Sequence, residues 1–141
     1  MLYPLSRSSA RFALLAAALA LPLLIGCGGS SDMGKVSGKV TLDGAPLAGA
    51  SLEFVPDNGR PSTGTTDASG AYTLQYSPTE VGAKVGKHKV RITSRTMRED
   101  PKTHKSEITP ERLPAKYHAN TELVREVKPG SNTIDFELTS R

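Results

Sequence analysis

The chain has 141 residues, 18 Lys and Arg against 14 Asp and Glu, a formal net charge of +4, and a single cysteine. That length holds one ordinary domain, and one cysteine leaves neither an intrachain disulfide nor a cysteine-built zinc site. Two of the positive charges, Arg7 and Arg11, lie in the first 26 residues, so the remainder carries +2 and its basicity gives no reason to expect a nucleic-acid partner.

Residues 1–26 combine a basic head, an apolar run from Phe12 to Ile25 and a small residue, Gly26, at the end. This is the three-part pattern of a secretory signal. The apolar run is 14 residues long and contains Pro22, whereas a spanning helix needs about 20 apolar residues. The pattern therefore predicts export and removal of the segment. Leu23-Leu24-Ile25-Gly26-Cys27 resembles the lipobox of bacterial lipoproteins. The resemblance implies cleavage between Gly26 and Cys27, a diacylglycerol thioether on Cys27, and a membrane held through the N-terminal lipid. Each buried methylene of such a lipid contributes about 0.8 kcal/mol, and more than one acyl chain makes anchoring stable.

Residues 27–34 then read as the lipidated cysteine and a Gly/Ser tether. Gly28 to Gly34, at roughly 3.5 Å per extended residue, gives a reach of about 25 Å. Position 28 is Gly and not Asp. By the sorting rule of enteric lipoproteins this implies the outer membrane, with the periplasmic face of the inner membrane as the alternative.

From Lys35 onward the pattern is that of short strands and turns. Lys35 to Leu42 alternates, with Val36, Gly38, Val40 and Leu42 on one face, and a period of two predicts a half-buried strand. Asp43-Gly44 is a tight-turn signal because glycine accepts positive φ. Ala50 to Val55 is the next strand, turning Leu52 and Phe54 inward. A Thr-rich edge follows Pro61, and Thr66-Asp67-Ala68-Ser69-Gly70 forms a second turn. Ala71 to Ser77 turns Tyr72, Leu74 and Tyr76 inward. Lys87 to Thr93 places His88, Val90 and Ile92 inward and Lys87, Lys89 and Arg91 outward.

Between Ser94 and Lys116 the alternation dissolves into charges and prolines, a connection longer than the ~12–15 residues usual for a plain loop. Such a segment is functional or locally structured. Thr109-Pro110-Glu111-Arg112 offers one helical turn, with Thr as N-cap and Pro at the first position. The last strands are Thr121 to Lys128 and Asn132 to Thr139, joined at Pro129-Gly130. Arg125 falls on the same face as Leu123 and Val127. Either a bulge or an Arg exposed at a sheet end would accommodate it.

About seven short strands at regular spacing predict an all-β fold, a single antiparallel seven-stranded β-sandwich over residues 35–141. The stretches Gly38 to Ala50 and Thr66 to Tyr72 resemble the carboxypeptidase regulatory-like, transthyretin-like sandwich domain. Leu113-Pro114-Ala115-Lys116-Tyr117 and the closing strand are similar to planctomycete-type lipoproteins that carry it. These motifs are turn motifs, and they imply a fold more than an activity.

No catalytic constellation follows from the sequence. Ser69 has no elbow or helix context, and His88, His104 and His118 lack metal-ligand spacing. Asp43, Asp57 and Asp67 are accounted for by turn chemistry without calcium. The chain ends Leu-Thr-Ser-Arg, unlike the Tyr-Arg-Gly-Ser ending of transthyretin-like hydrolases. The sequence thus predicts a protein that is not an enzyme and needs no cofactor. Residues 84–116 hold ten Lys and Arg against four Asp and Glu, a net of +6, which leaves the rest of the mature chain at −4. Lys84, Lys87, Lys89, Arg91, Arg95 and Arg98 are the candidate contacts to an anionic glycan, lipid or envelope protein. An unrecognised hydrolase is the remaining alternative.

Overall fold

In the computed structural model the described residues are 32–141. The leader, Gly26, Cys27 and most of the tether lie outside them. The strands are β1 (Met33–Leu42), β2 (Ala45–Pro46), β3 (Ser51–Pro56), β4 (Ser62–Thr65), β5 (Ala71–Thr73), β6 (Gln75–Ser77) and β7 (Glu80–Val81). They continue with β8 (Ala83–Lys84), β9 (Gly86–Thr93), β10 (Thr96–Glu99), β11 (Ser106–Thr109), β12 (Val124–Val127), β13 (Gly130–Thr133) and β14 (Phe136–Leu138). A single 3-10 turn, Ala115–Tyr117, is the only helical element among the described residues.

The first sheet is built on β1. On one side β1 pairs antiparallel with β8, β5 and β2, and on the other it pairs parallel with β13 and then β14. The second sheet has the order β12-β9-β3-β4-β6-β7 and is antiparallel throughout. Strands β10 and β11 form a separate two-stranded hairpin.

The expected alternation carries the core. Val36, Val40, Leu52, Phe54, Leu74, Val90, Ile92 and Val127 are wholly buried. Burying a side chain of the Val, Leu, Ile or Phe class contributes about 1.5–3 kcal/mol. Phe136 of the first sheet meets Phe54 of the second with ring centroids 6.1 Å apart at 76°, edge to face, and Tyr72 lies 6.3 Å from Phe136. The apolar faces of the two sheets therefore close on one another.

Three expectations are corrected. Pairing is not wholly antiparallel, because the chain leaves the second sheet after β12, crosses at Pro129-Gly130, and runs beside β1 in the same direction. The segments are also more numerous and shorter than seven. Ala71 to Ser77 is two strands in different sheets, with Leu74 at the changeover donating its N–H to Val36 O and accepting from Gly82 N. The closing strand is interrupted at Ile134-Asp135, where the Ile134 carbonyl presses against Gly38. Lastly, the helical turn forms at Ala115–Tyr117 behind Pro114, not at Thr109 to Arg112, where Thr109 is instead the last residue of β11, paired with Thr96.

Several turns follow the expected chemistry. Asp43 and Gly44 take φ of 50° and 83° between the paired residues Leu42 and Ala45, a two-residue hairpin turn. The Asp67 carboxylate accepts from Ser69 N, Ser69 Oγ and Ala71 N, and these bonds, led by the Ser69 hydroxyl, hold its carboxyl below the usual value.

Candidate functional site

The six basic candidates do not form one surface. Lys87, Lys89 and Arg91 do line the outer face of β9 at alternate positions, as the period of two requires. Acidic residues neighbour two of them: Glu126 of β12 pairs with Lys87, and Glu53 of β3 pairs with Arg91, with Arg91 Nη1 3.6 Å from Glu53 Oε2. Lys84 belongs to β8 in the other sheet, against Gly59. Arg95 and Arg98 lie in or next to the β10–β11 hairpin, where Arg98 pairs with Glu107. The stretch that is basic in sequence is thus divided among three places.

His88 is buried at the end of β9, 1% exposed, against Phe54 at 5.9 Å. Its Nε2–H donates to Lys84 O at 2.6 Å. It braces the β8–β9 bend. Two of the three carboxylates that could have served calcium are used by backbone: Asp43 Oδ1 accepts from Ser140 N at 3.0 Å, and Asp67 closes its own turn. The Ser140 hydrogen bonds hold the Asp43 carboxyl below its usual value. Among the described residues no three His, Cys, Asp or Glu side chains converge on a point.

The two ends of the domain differ. At one end the chain enters: Val85 N donates to Asp32 O at 2.8 Å, and Met33 pairs with Lys84. Strand β9 starts here at Gly86 and ends at Thr93, which pairs with Ser51. Ser51 follows Ala50, and the Thr66 hydroxyl ties Ala50 N to Leu47 O, while Leu47 N donates to Val40 O near the end of β1. The ends of β1 and β9 therefore coincide, and the β10–β11 hairpin leaves from that far end. Ten residues of β1 at about 3.3 Å each separate the two ends by roughly 33 Å.

Two features mark the far half. The hairpin is exposed along its length, with Met97 and Ile108 paired across it, 67% and 49% exposed. Beside its root a groove of about 480 Å³ lies on the outer face of the second sheet, bounded by Ser51, Glu53, Thr63, Arg91, Thr93 and His118. Register explains the floor: Thr63, Glu53 and Arg91 stand in one row across β4, β3 and β9, and Ser51 and Thr93 in the next. His118, just after the 3-10 turn, forms a wall, its Nε2–H donating to Leu113 O at 3.0 Å. Strand parity in the sequence put Ser51 and Glu53 of β3 and Arg91 of β9 outward, and nothing more of this groove. The wall depends on a loop returning over the sheet, which no local pattern encodes.

No protein-family model matches the chain, and no curated protein matches it. Among solved structures it is similar to a DUF3823 family protein from Parabacteroides merdae, at 17% identity over 77% of this chain and 47% of that one, with a TM-score of 0.40. It is also similar to a 9R-lipoxygenase from Cyanothece, at 17% identity over 77% of this chain and 16% of that one, with a TM-score of 0.41. The chain spans less than half the length of either.

Proposed function

We propose that this chain is a lipid-anchored, non-enzymatic protein of the cell envelope whose β-sandwich is a display module. The observation that carries the reading is the opposition of its two ends. The tether joins where Asp32 and Val85 meet, and the β10–β11 hairpin and the outer groove lie toward the other end. A lipid on Cys27 would fix the first end at the bilayer, and the second would face away from it. The lipobox-like residues before Cys27, the small Gly26 and the Gly/Ser tether all support the same arrangement. Among the described residues no helix is long and apolar enough to cross a membrane. In this reading a membrane hold comes from the lipid, with the outer membrane as the location implied by Gly28.

The sandwich is supported by the facing of Phe54 and Phe136 between two six-stranded sheets. A polyanion-binding role has less support, because Glu126 and Glu53 stand beside Lys87 and Arg91. Substituting Cys27→Ser tests the anchor. Wild-type protein is expected in the membrane fraction and the variant in the soluble fraction or uncleaved; equal membrane retention with normal cleavage would overturn the proposal.

A further inference from the structure

We infer that the groove on the outer face of the second sheet is a binding site for a neutral saccharide. Its volume of about 480 Å³ falls within the ~300–1,000 Å³ range of small-ligand sites. Its polar groups are unspent. Among the described residues the Glu53 carboxylate and the Arg91 guanidinium have only each other, at 3.6 Å, and the hydroxyls of Ser51, Thr63 and Thr93 have no partner. Because His118 donates through Nε2 to Leu113 O, its Nδ1 is left as an acceptor.

The lining narrows the ligand class. A carboxylate beside a guanidinium sets an acceptor next to donors, so that adjacent hydroxyls of a sugar ring can donate to Glu53 and accept from Arg91. An anion meets the Glu53 charge and a cation meets that of Arg91, which disfavours both. An extended peptide has neither an apolar pocket nor a free edge here. Strands β3 and β9 are each hydrogen-bonded on both sides, so no backbone is open for strand addition. No Phe, Tyr or Trp is among the lining residues, and without such a stacking platform the affinity is expected to be weak, with Kd on the order of 1 mM.

The inference goes beyond the anchor reading and does not depend on it, since every residue lining the groove lies between 51 and 119. The test is an amide chemical-shift titration of the full chain in detergent micelles with maltotetraose, cellotetraose, mannotetraose and chitotetraose, each to about 10 mM, tenfold above the expected Kd. With at least one saccharide, the amides of Ser51, Glu53, Thr63, Arg91, Thr93 and His118 should shift while those of Val36 and Tyr72 in the other sheet stay. Glu53→Gln at a half-buried position and Arg91→Gln at an exposed one should each weaken binding about tenfold, or ~1.4 kcal/mol, with core amides unchanged. No groove shift with any of the four, shifts that survive both substitutions, or tighter binding there of tetra-alanine or dextran sulfate would overturn the inference. None of these results bears on membrane retention.

Discussion

Ser94 and Glu111, 17 positions apart in the chain, are joined at the neck of the β10–β11 hairpin, with the Ser94 hydroxyl donating to Glu111 Oε1 at 2.6 Å and the Ser94 N–H at 3.0 Å. The same carboxylate accepts from Arg95 N and Leu113 N, and Arg112 N donates back to Ser94 Oγ. One acidic side chain therefore gathers both legs of the hairpin at its root. The exposed two-stranded ribbon beyond it has little packing of its own, and such ribbons are marginal in water.

Burial raises the Glu111 carboxyl, but the hydrogen bonds from Ser94, Leu113 and Arg95 outweigh it and bring the value from 4.5 to about 2. A lowered carboxyl contributes stability that is complete above its unfolded value and is lost as pH falls through the folded one. The neck should thus loosen between about pH 4.5 and 2. Glu111→Gln should bring that loosening to neutral pH, at a cost of ~1 kcal/mol after allowance for partial exposure. Amide exchange across residues 94–112 is the measurement; unchanged exchange in the variant would contradict the clamp.

Thr66 is 4% exposed, and its hydroxyl accepts from Ala50 N at 2.8 Å while donating to Leu47 O at 2.5 Å. Thr66→Val keeps the shape and removes both bonds. A buried N–H and a buried carbonyl would lose their partner, each at about 1–3 kcal/mol. Denaturant unfolding should show a loss of ~2 kcal/mol or more, and Thr66→Ser should recover most of it.

Gly38 carries the close approach that splits the closing strand. A Cβ there meets the Ile134 carbonyl, which is backbone and cannot step aside, because Ile134 N is bound to Ser37 O at 2.8 Å. Gly38→Ala should therefore cost about 3 kcal/mol, at the upper end of overpacking. By contrast Gly86→Ala meets no atom within 4 Å but sits at φ 129°, so its penalty is one of backbone strain, ~1–3 kcal/mol. Thermal unfolding measures both penalties, and amide chemical shifts of the folded variants separate the two causes: strain at Gly86 leaves the core shifts in place, and the Gly38 clash moves those of Val36 and Val40.

Much of the fold was legible because a period of two is a local property. Val36 and Val40, Leu52 and Phe54, Val90 and Ile92, and Phe136 and Leu138 are buried where alternation put them. Two-residue turn chemistry was equally local at Asp43-Gly44. What escaped depends on partners distant in the chain. Leu74 changes sheets without any break in alternation, and Leu113 is buried from inside, and Tyr117 from just beyond, a segment that reads as charged loop. Arg125 does share a face with Leu123 and Val127, and its guanidinium carbon sits 4.9 Å from the ring centroid of the buried Phe136. That choice between a bulge and an end-exposed Arg needed the position of Phe136, eleven residues later. The groove was invisible for the same reason, since its row from Thr63 through Glu53 to Arg91 is a matter of register across three strands.

The central claim is that a lipid on Cys27 holds one end of this domain at a membrane and leaves the other free. Its most direct test is the intact mass of the protein extracted from native membranes, with a fragment spectrum of its N-terminus. The account predicts a chain that begins at Cys27 and carries the added mass of a diacylglycerol thioether, with or without a third acyl chain. A mature chain beginning elsewhere, or an unmodified Cys27, would contradict it and leave an exported domain with no fixed orientation.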